Sequence, residues 1–474
     1  AIAAEDRAAI EDGLAKARLL HRAGRDAESR AAMAGPIARA EELAGPRLRA
    51  RVLRTQVGLL CFEDDESTPP PVREALEATL AVGDLRAFAD VASCMLDLEQ
   101  DAGRDIEIWL RLAEAALTAS GGDEQLLGKL LTNYGNALRR EHRLEEAITA
   151  YREVLELRRR PSNQRPEILG DALFNLANGL FLRGAEQDAI PLLDEAIAVW
   201  GRELGPEHPR LLMPLGMLTV MHFRRGELAE AEAVASRGLA AMAKQYGEMH
   251  SRVVDMRGLL ANVLFYQGKF EAARGHFEAA LAGARASPGK PRAIGYALSN
   301  LANFHVAMGE LDAAATALAE SESMLRPLVE PPNPDLVTLE GNLGILALRR
   351  GDIDAAERRL RAAVEMFERV KEPGQDYEPD IQIAYAEVLV RRGDAAGALA
   401  AVAKLPGGDP RKLKYTRDRA AGLAALARAQ WELGERAAAR TAAREAAEIY
   451  AELVPGYPIE REQLARWQAE RAGR

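Results

Sequence analysis

Pairs of asparagines recur at a fixed spacing inside segments that otherwise favour helix. Asn300 and Asn303 lie three residues apart in SNLANFHVAMGELDAA, although the asparagine amide competes for nearby backbone groups and weakens helices. Each carboxamide offers both a hydrogen-bond donor and an acceptor. A row of them could therefore pair with the main chain of an extended peptide, whatever its sequence. The candidate amides are Asn133, Asn136, Asn175, Asn178, Asn262, Asn300, Asn303 and Asn342.

Arginines form a second recurring set near the asparagines. They lie two residues before the predicted end of a helix, where a cation interacts favourably with the helix dipole by ~0.3–1 kcal/mol. The same guanidinium groups could instead bind carboxylates on a ligand. The set consists of Arg140, Arg224, Arg349 and Arg391.

No residue set in the sequence predicts an enzyme. The seven histidines lack metal-ligand spacing such as H-E-x-x-H, and no G-x-S-x-G, Walker or dinucleotide motif is present. His222 and His305 share one repeat position, where we expect a hydrogen-bonded core histidine. Cys61 and Cys94 lie among apolar residues and are expected to be buried. We therefore expect no catalytic site, no metal and no cofactor.

The elements that carry these residues repeat along the chain. A helical segment ends at a glycine, which suits the left-handed conformation after a helix C-terminus. A second helical segment follows, with an alanine five residues after the glycine. The glycines recur every 41 or 42 residues, and His142 takes their place in the first regular unit. They are Gly184, Gly226, Gly268, Gly309, Gly351, Gly393 and Gly434. The pattern predicts stacked helix–turn–helix units that bury their apolar faces against their neighbours.

A helical wheel places the asparagines on the side of the first helix opposite its core. With Leu301 and Ala302 facing the core, Asn300 and Asn303 lie about 150° away from the core direction. We therefore predict that they do not pack within their own helix pair. Two roles stay open: the amides line a ligand groove, or they bridge adjacent first helices through hydrogen bonds.

The segment TNYGNALRREHRLEEAITAYREVLEL (residues 132–157) resembles a tetratricopeptide repeat (TPR), with Ala147 at the small inter-helix position. The period exceeds the 34 residues of that repeat by about two helical turns. Together with the linker LGPEHPRLL (204–212), it resembles the kinesin-light-chain subtype. The resemblance implies an all-α, right-handed superhelical solenoid whose first helices line a concave groove. Some TPR proteins bind peptides in such a groove.

The repeats predict three parts of the chain. Degenerate TPR-like helix pairs occupy residues 1–124, a regular array occupies 125–454, and a C-terminal capping helix occupies 455–474. The total is about eleven helix pairs plus the capping helix. Degenerate end units are expected because the outer face of a solenoid meets water.

The whole chain also resembles the C-terminal TPR region of bacterial receptor-like Ser/Thr protein kinases. The likeness is clearest over IEIWLRLAEAALTASGGDEQLLGKLLTNYGNALRREHRLEEAI. The Gly-rich loop, the His-Arg-Asp catalytic loop and the Asp-Phe-Gly motif are all missing from this sequence, so the resemblance implies the sensory or scaffolding part alone. We predict a non-enzymatic protein- or peptide-binding scaffold. Two alternatives remain. One is a structural or self-associating solenoid spacer with no peptide ligand, whose groove is filled by its own terminus or by a second copy in a homo-oligomer. The other is an accessory module of an enzyme whose catalytic domain lies outside this chain.

Composition argues against two classes of partner. The formal net charge of -10 and pI of about 5.5 contrast with the basic surplus that neutralises phosphates in nucleic-acid binders. No apolar run reaches the length of a membrane span, and AIAAEDRAAI does not resemble a signal peptide. We expect no nucleic-acid partner and no direct membrane contact by this segment. Its expected location is the cytoplasm, unless a membrane helix precedes it in the full-length protein.

Overall fold

The computed structural model describes residues 3–22, 26–43, 45–60, 71–98, 106–160, 165–206, 208–286, 289–371 and 379–472. Within these ranges it contains 23 α-helices and no β-strand. The chain divides into two compact units, which we call unit 1 (Ala1–Gly205) and unit 2 (Pro206–Arg474).

Unit 1 holds ten described helices, and consecutive helices pack together as five pairs. They are α1 (Ala4–Arg22), α2 (Asp26–Glu42), α3 (Pro46–Leu60), α4 (Val72–Ala81), α5 (Leu85–Leu98), α6 (Ile106–Ala119), α7 (Glu124–Arg140), α8 (Leu144–Arg159), α9 (Pro166–Leu182) and α10 (Glu186–Leu204). The first helix of the α7–α8 pair begins where the Asp123 carboxylate accepts hydrogen bonds from the main-chain N–H groups of Gln125 and Leu126, a favourable N-cap.

Unit 2 holds thirteen described helices, which form six pairs and one further helix at the C-terminus. They are α11 (Leu212–Arg225), α12 (Leu228–Tyr246), α13 (Ser251–Tyr266), α14 (Phe270–Ala286), α15 (Pro291–Ala307), α16 (Leu311–Leu325), α17 (Pro334–Arg350), α18 (Ile353–Val370), α19 (Pro379–Arg391), α20 (Ala395–Ala403), α21 (Thr416–Glu432), α22 (Arg436–Glu452) and α23 (Pro458–Arg471).

The turn inside each regular pair has the predicted left-handed residue. All seven predicted glycines have positive φ, for example 77° at Gly226 and 82° at Gly351, and His142 adopts 60°. A residue with a Cβ pays for this conformation in steric strain, which glycine avoids. The turn position that the repeat pattern assigned to His142 is therefore confirmed.

The alanine five residues after each turn lies where the two helices of a pair come closest. All eight are 0% exposed, as the need for close helix contact predicts: Ala147, Ala189, Ala231, Ala273, Ala314, Ala356, Ala398 and Ala439. Neighbouring pairs then share an apolar core. Between α17, α18 and α19, for instance, Leu360, Phe367 and Val388 are buried together. Each pair thus buries its apolar face against the next, as in a solenoid.

The described helices confirm the predicted all-α solenoid of eleven pairs plus a C-terminal helix. Cys94 is buried at 1% exposure, as expected, whereas Cys61 lies outside the described residues. The division of the chain at residues 124 and 454 stays a prediction.

Unit 2 also contains contacts between helices far apart in sequence. The Lys414 ammonium donates to the carbonyl oxygen of Arg224 at 2.6 Å, and the Tyr415 hydroxyl donates to that of Phe223 at 2.5 Å. These partners are 190 and 192 residues apart. We call this pair of hydrogen bonds the closing contact, because it joins the first helix of unit 2 to the segment that leads into α21.

Candidate peptide-binding groove

In unit 1, the first helices of four pairs (α3, α5, α7 and α9) line an open cavity together with α8. Its volume is about 540 Å³, and we call it the unit 1 groove. Its polar lining comes from α3, α5, α7, α8 and α9 and from the residue before α7, and it comprises Arg54, Arg86, Asp123, Gln125, Lys129, Thr132, Asn133, Asn136, Arg158, Asp171 and Asn175. Three of the predicted asparagines are thus brought together at one surface. Apolar side chains such as Leu126, Val154 and Phe174 lie between the polar groups.

Ion pairs hold several of the groove's charges in place. Asp90 on α5 accepts from Arg54 Nε and from Lys129 Nζ, each at 2.7 Å. Burial acts to raise the pKa of Asp90, but Lys129 and Arg54 outweigh it and keep that pKa below its ordinary value. Arg86 pairs with Asp123 at the start of α7. The walls of the groove are therefore preorganised by their own charges.

Asn133 is a structural bridge between neighbouring first helices. Its side chain is only 3% exposed, and its Nδ2 donates to the carbonyl oxygen of Ser93 on α5 at 2.9 Å. Arg140 acts on the same neighbour, because its Nη2 donates to the carbonyl oxygen of Leu96 at 2.5 Å. Of the two roles left open by the sequence, these residues take the bridging one.

Asn136 contradicts the prediction that the amides stay out of their own helix pair. Its Oδ1 accepts a hydrogen bond from the Tyr151 hydroxyl of α8 at 2.7 Å. Tyr151 reaches this far because it crosses α7 at Gly135, where an added Cβ would lie 2.6 Å from its ring. A wheel angle measures direction from one helix axis, and a long side chain from the partner helix can reach around it.

Asn175 and Asn178 occupy the same two positions one repeat later, yet they lack such partners. Both side chains are half-buried, and neither forms a side-chain hydrogen bond within the described residues. At the repeat position of Tyr151 the next pair has Leu193, which has no hydroxyl to donate. These two carboxamides therefore keep their hydrogen-bonding capacity.

Three of the four candidate asparagines of unit 2 are in the same state as Asn175 and Asn178. Asn262, Asn300 and Asn303 are half-buried and form no side-chain hydrogen bond within the described residues. Asn342 is 3% exposed, and its Nδ2 has no acceptor among the described residues. Arg224 is exposed at the end of α11, where its carbonyl oxygen belongs to the closing contact.

Arg349 and Arg391 bind carboxylates, but those of the chain itself. Arg349 is 8% exposed; its Nη1 donates to Glu387 at 3.0 Å and its Nε donates to Glu460 of α23 at 2.5 Å. Arg391 donates to Glu387 at 2.8 Å and to Gln463 of α23 at 3.3 Å. Burial acts to raise the pKa of Glu387, yet Arg349, Arg428 and Arg391 bring it down to about 2. Both predicted arginines are thus engaged with the C-terminal helix.

The C-terminal segment contacts the ends of three first helices of unit 2, α15, α17 and α19. The Tyr457 main-chain N–H donates to the carbonyl oxygen of Ala307 at the end of α15, at 2.6 Å, and Pro458 lies against Gly309. Tyr457 and Glu460 line a small cavity of about 80 Å³ that Asn303 and Arg349 also line. This face is therefore occupied by residues 457–463, which the sequence assigned only as a cap.

A buried charged cluster lies beside this segment. The Arg417 guanidinium donates to the Tyr266 hydroxyl at 2.6 Å and to Asp418 at 3.0 Å. Burial raises the pKa of Asp418 to about 6, although Arg417 acts to lower it, and Asp380 adds to the rise. The cluster joins α13, α19 and α21. Its groups are largely buried, so they interact with one another more than with water.

Sequence reasoning missed Arg158. It lies sixteen residues after the turn residue, where most other regular pairs carry a large apolar side chain. Those side chains are Trp200, Met242, Leu325, Phe367 and Tyr450. A comparison of the repeats at that single position could have identified this exception.

The remaining chemistry-bearing residues have structural partners. His222 Nδ1 lies 2.7 Å from Glu227 and His305 Nδ1 lies 2.6 Å from Glu310, as expected of hydrogen-bonded core histidines. The described residues contain no cluster with metal-ligand geometry. Their helices are also too short or too polar to cross a bilayer.

Several solved structures align with this chain, among them the following three. The apo form of RapI matches with a TM-score of 0.57 at 10% identity, over 83% of this chain and 96% of that one. A Rap protein complexed with Competence and Sporulation Factor has a TM-score of 0.47 at 14% identity, over 94% and 98% of the two chains. A kinesin light chain TPR-like repeat protein from Podosopora anserina has 0.37 at 20%, over 42% and 94%. Only the first exceeds 0.5, and it bears on the fold alone.

Family models identify the repeats themselves. No curated protein sequence gave a significant match. Two tetratricopeptide repeat models match residues 128–161 and 169–244, which confirms the predicted TPR resemblance. A third, described as the MalT-like TPR region, matches residues 215–454, just over half of the chain. The chain therefore belongs to the tetratricopeptide repeat proteins with a MalT-like TPR region.

Proposed function

We propose that this chain is a non-enzymatic protein-binding scaffold that holds an extended peptide segment in the unit 1 groove. The observation that carries the proposal is the state of Asn175 and Asn178. Asn175 lines the groove, and Asn178 lies three residues further along α9. Both amides are half-buried, and neither forms a side-chain hydrogen bond within the described residues. Main-chain N–H and C=O groups of a peptide would satisfy them.

The proposal places the ligand in unit 1 because the C-terminal segment occupies the ends of α15, α17 and α19 in unit 2. Residues 457–463 already contact the ends of α15, α17 and α19, and Arg349 is neutralised by Glu387 and Glu460. A peptide at that face would have to displace the C-terminal helix. The unit 1 groove, by contrast, combines an open volume of about 540 Å³ with apolar positions at Leu126, Val154 and Phe174.

The family supports the general class of function. Tetratricopeptide repeats are typically protein-interaction modules, and stacked repeats create extended concave surfaces suited to binding. Because Asn133 and Arg140 bridge helices, the predicted peptide-binding residues of unit 1 that remain are Asn175 and Asn178. Asn136 could bind a peptide only by giving up its hydrogen bond with Tyr151. The structural alternative best describes unit 2.

A peptide-display selection against the immobilised full chain tests the proposal. We expect Asn175→Ala/Asn178→Ala to weaken the selected peptides by about tenfold or more, since two hydrogen bonds of about 1 kcal/mol each are lost. The melting temperature should not change, because these amides have no partner to lose. Binding would be followed by fluorescence anisotropy.

The matched control is Asn300→Ala/Asn303→Ala, which removes the same register positions from α15 of unit 2. It should leave peptide affinity as in the parent protein. The proposal fails if no peptide is selected, if Asn175→Ala/Asn178→Ala binds as tightly as the parent, or if the control loses affinity equally.

The wider context we propose is a regulatory array of a bacterial signalling protein, such as a receptor-like Ser/Thr kinase. Its support is the sequence resemblance of residues 106–148 to the TPR regions of those kinases. The full-length gene product provides the check: a kinase domain encoded before Ala1 would agree with this context, and an unrelated domain or none would refute it.

A further inference from the structure

Arg158 is a buried cation that lines an open cavity. Its side chain comes from α8, is 4% exposed, and contributes to the unit 1 groove. Its Nη2 donates to the carbonyl oxygen of Gln125 at 3.1 Å, and its Nε is enclosed with no acceptor in the part of the chain that the structure describes. No carboxylate lies within ion-pair distance of the Arg158 guanidinium among the described residues. A buried charge in that state is costly.

The space around Arg158 is built to hold the guanidinium. An added Cβ on Gly128 of α7 would lie 2.3 Å from Nη2 of Arg158, so the guanidinium rests directly on the helix backbone. The corresponding glycines of two other pairs hold apolar groups instead: Gly170 contacts Trp200, and Gly295 contacts Leu325. One repeat has therefore exchanged an apolar packing residue for a charge while keeping the same socket.

The surroundings do not neutralise this charge. Burial is the main cause that lowers the pKa of Arg158, and Arg165 lowers it further, while Asp123 and Asp171 only partly oppose them. Asp123 is already paired with Arg86, and it also caps α7. Arg54 and Lys129, also in the groove, share Asp90. Of the charged side chains that line the groove, four are cations (Arg54, Arg86, Lys129 and Arg158) and two are carboxylates (Asp123 and Asp171), within a chain whose net charge is -10.

We propose that Arg158 is an anion-binding residue of the unit 1 groove, and that the bound peptide is acidic, with one Asp or Glu side chain at Arg158. This inference rests on the proposed function and specifies the chemistry of its ligand. A carboxylate matches the planar donors of a guanidinium and forms charge-assisted hydrogen bonds with it. The carboxylate would also supply the missing countercharge. Without a ligand the buried guanidinium is unfavourable, and binding removes that cost, which strengthens the affinity for an acidic peptide.

Labelled deca-glutamate and deca-glutamine peptides test the inference with the full chain by fluorescence anisotropy. The parent should bind deca-glutamate more tightly than deca-glutamine. Arg158→Met introduces the apolar type found at this repeat position and should weaken deca-glutamate binding roughly tenfold. The same change should raise the melting temperature, since an unpaired buried charge is replaced by an apolar side chain.

Two further variants keep the outcome interpretable if Arg158→Met folds poorly. Arg158→Lys retains the charge without the planar fork and should also lose affinity. Arg152→Met removes an exposed arginine from the same helix and should bind deca-glutamate as the parent does, which excludes a general loss of positive charge.

Several results would overturn the inference: no binding of deca-glutamate, equal binding of the two peptides, or full affinity in Arg158→Met. A lowered melting temperature with unchanged affinity would assign Arg158 a packing role. Failure here is distinguishable from failure of the scaffold proposal, because selected peptides that depend on Asn175 and Asn178 would still show a ligand groove, with a neutral ligand.

Discussion

At the scale of single residues, equivalent positions take different roles because their neighbours differ. Asn136 and Asn178 are one repeat apart, but Tyr151 donates to the first, whereas Leu193 leaves the second without a donor. The sequence pattern predicted where the amides recur. It could not predict which amides were satisfied, because the partner of Asn133 is a main-chain carbonyl on another helix.

His142 offers a direct test of the repeat register. Replacing His142 by Gly should raise the free energy of unfolding by about 1 kcal/mol, since the φ of 60° strains any residue with a Cβ. Urea denaturation followed by circular dichroism would measure the change. As a reverse control, Gly184→His places the strained residue in the next turn and should lower stability; a neutral or destabilising His142→Gly would contradict the assignment.

Asp418 should make the stability of unit 2 depend on pH. Its pKa is about 6 in the folded protein and ~3.9 in an unfolded chain. The folded state thus binds more protons between these values, and stability falls as pH rises through this interval, the penalty being complete above pH 6. Relative to Asp418→Asn, the parent should gain on the order of 1 kcal/mol between pH 7 and pH 5.

Urea titrations of both proteins at pH 5, 6 and 7 would measure this difference. Asn cannot titrate, so subtraction removes the effects of other carboxylates such as Asp380. If the difference in unfolding free energy between the two proteins is constant from pH 7 to pH 5, or if the parent becomes relatively less stable toward pH 5, Arg417 keeps Asp418 ionised throughout.

At the scale of elements, α23 is anchored by charge as well as by apolar packing. A C-terminal capping helix was predictable from its amphipathic pattern and the need to cover the last repeat. Its contacts were not, because Glu460 pairs with Arg349, 111 residues earlier in the chain. No local pattern links two residues at that separation. Neither a local sequence window nor the repeat period can predict a pair of complementary charges that only the fold brings together.

A double-mutant cycle measures this anchor. Arg349→Met and Glu460→Gln should each destabilise the protein by about 3 kcal/mol, because each removes a counterion from a charged group that stays buried. The double variant should cost at least about 1 kcal/mol less than the sum. Chemical denaturation of the four proteins gives the coupling energy.

The same helix supplies the control for that cycle. Arg466 and Glu462 also form an ion pair on α23, but their side chains are 70% and 71% exposed. Their cycle should yield under about 0.5 kcal/mol because solvent screens the pair. Equal coupling in the two cycles would mean that Glu460 is not a specific anchor.

At the scale of the whole molecule, the two units differ in how their helices are connected. Within the described residues, side-chain hydrogen bonds of unit 1 span about one repeat, such as the 44 residues between Arg140 and Leu96. Those of unit 2 include separations of 111, 151 and 190 residues. Arrays of nearest-neighbour contacts unfold progressively. Long-range contacts make a unit unfold together.

Hydrogen exchange should therefore distinguish the units. We expect graded protection in unit 1, lowest in its first pairs, and uniformly high protection in the helices of unit 2 from α11 to α23. Peptide-resolved exchange at neutral pH measures both. Truncating the chain after Glu452 should reduce protection across α13–α19 and leave unit 1 unchanged; loss confined to α22 would contradict the long-range anchoring.

The closing contact also fixes the number of repeats in unit 2. Most solenoids can gain or lose a repeat during evolution, because each one meets only its neighbours. Lys414 and Tyr415, however, must reach the carbonyl oxygens of Arg224 and Phe223 across a set number of helix pairs. Deleting one period, such as residues 311–352, would keep the packing between neighbouring helix pairs. It would nevertheless separate Lys414 and Tyr415 from the carbonyl oxygens that accept their hydrogen bonds. Gene duplication can lengthen unit 1 one repeat at a time, whereas unit 2 must keep its count.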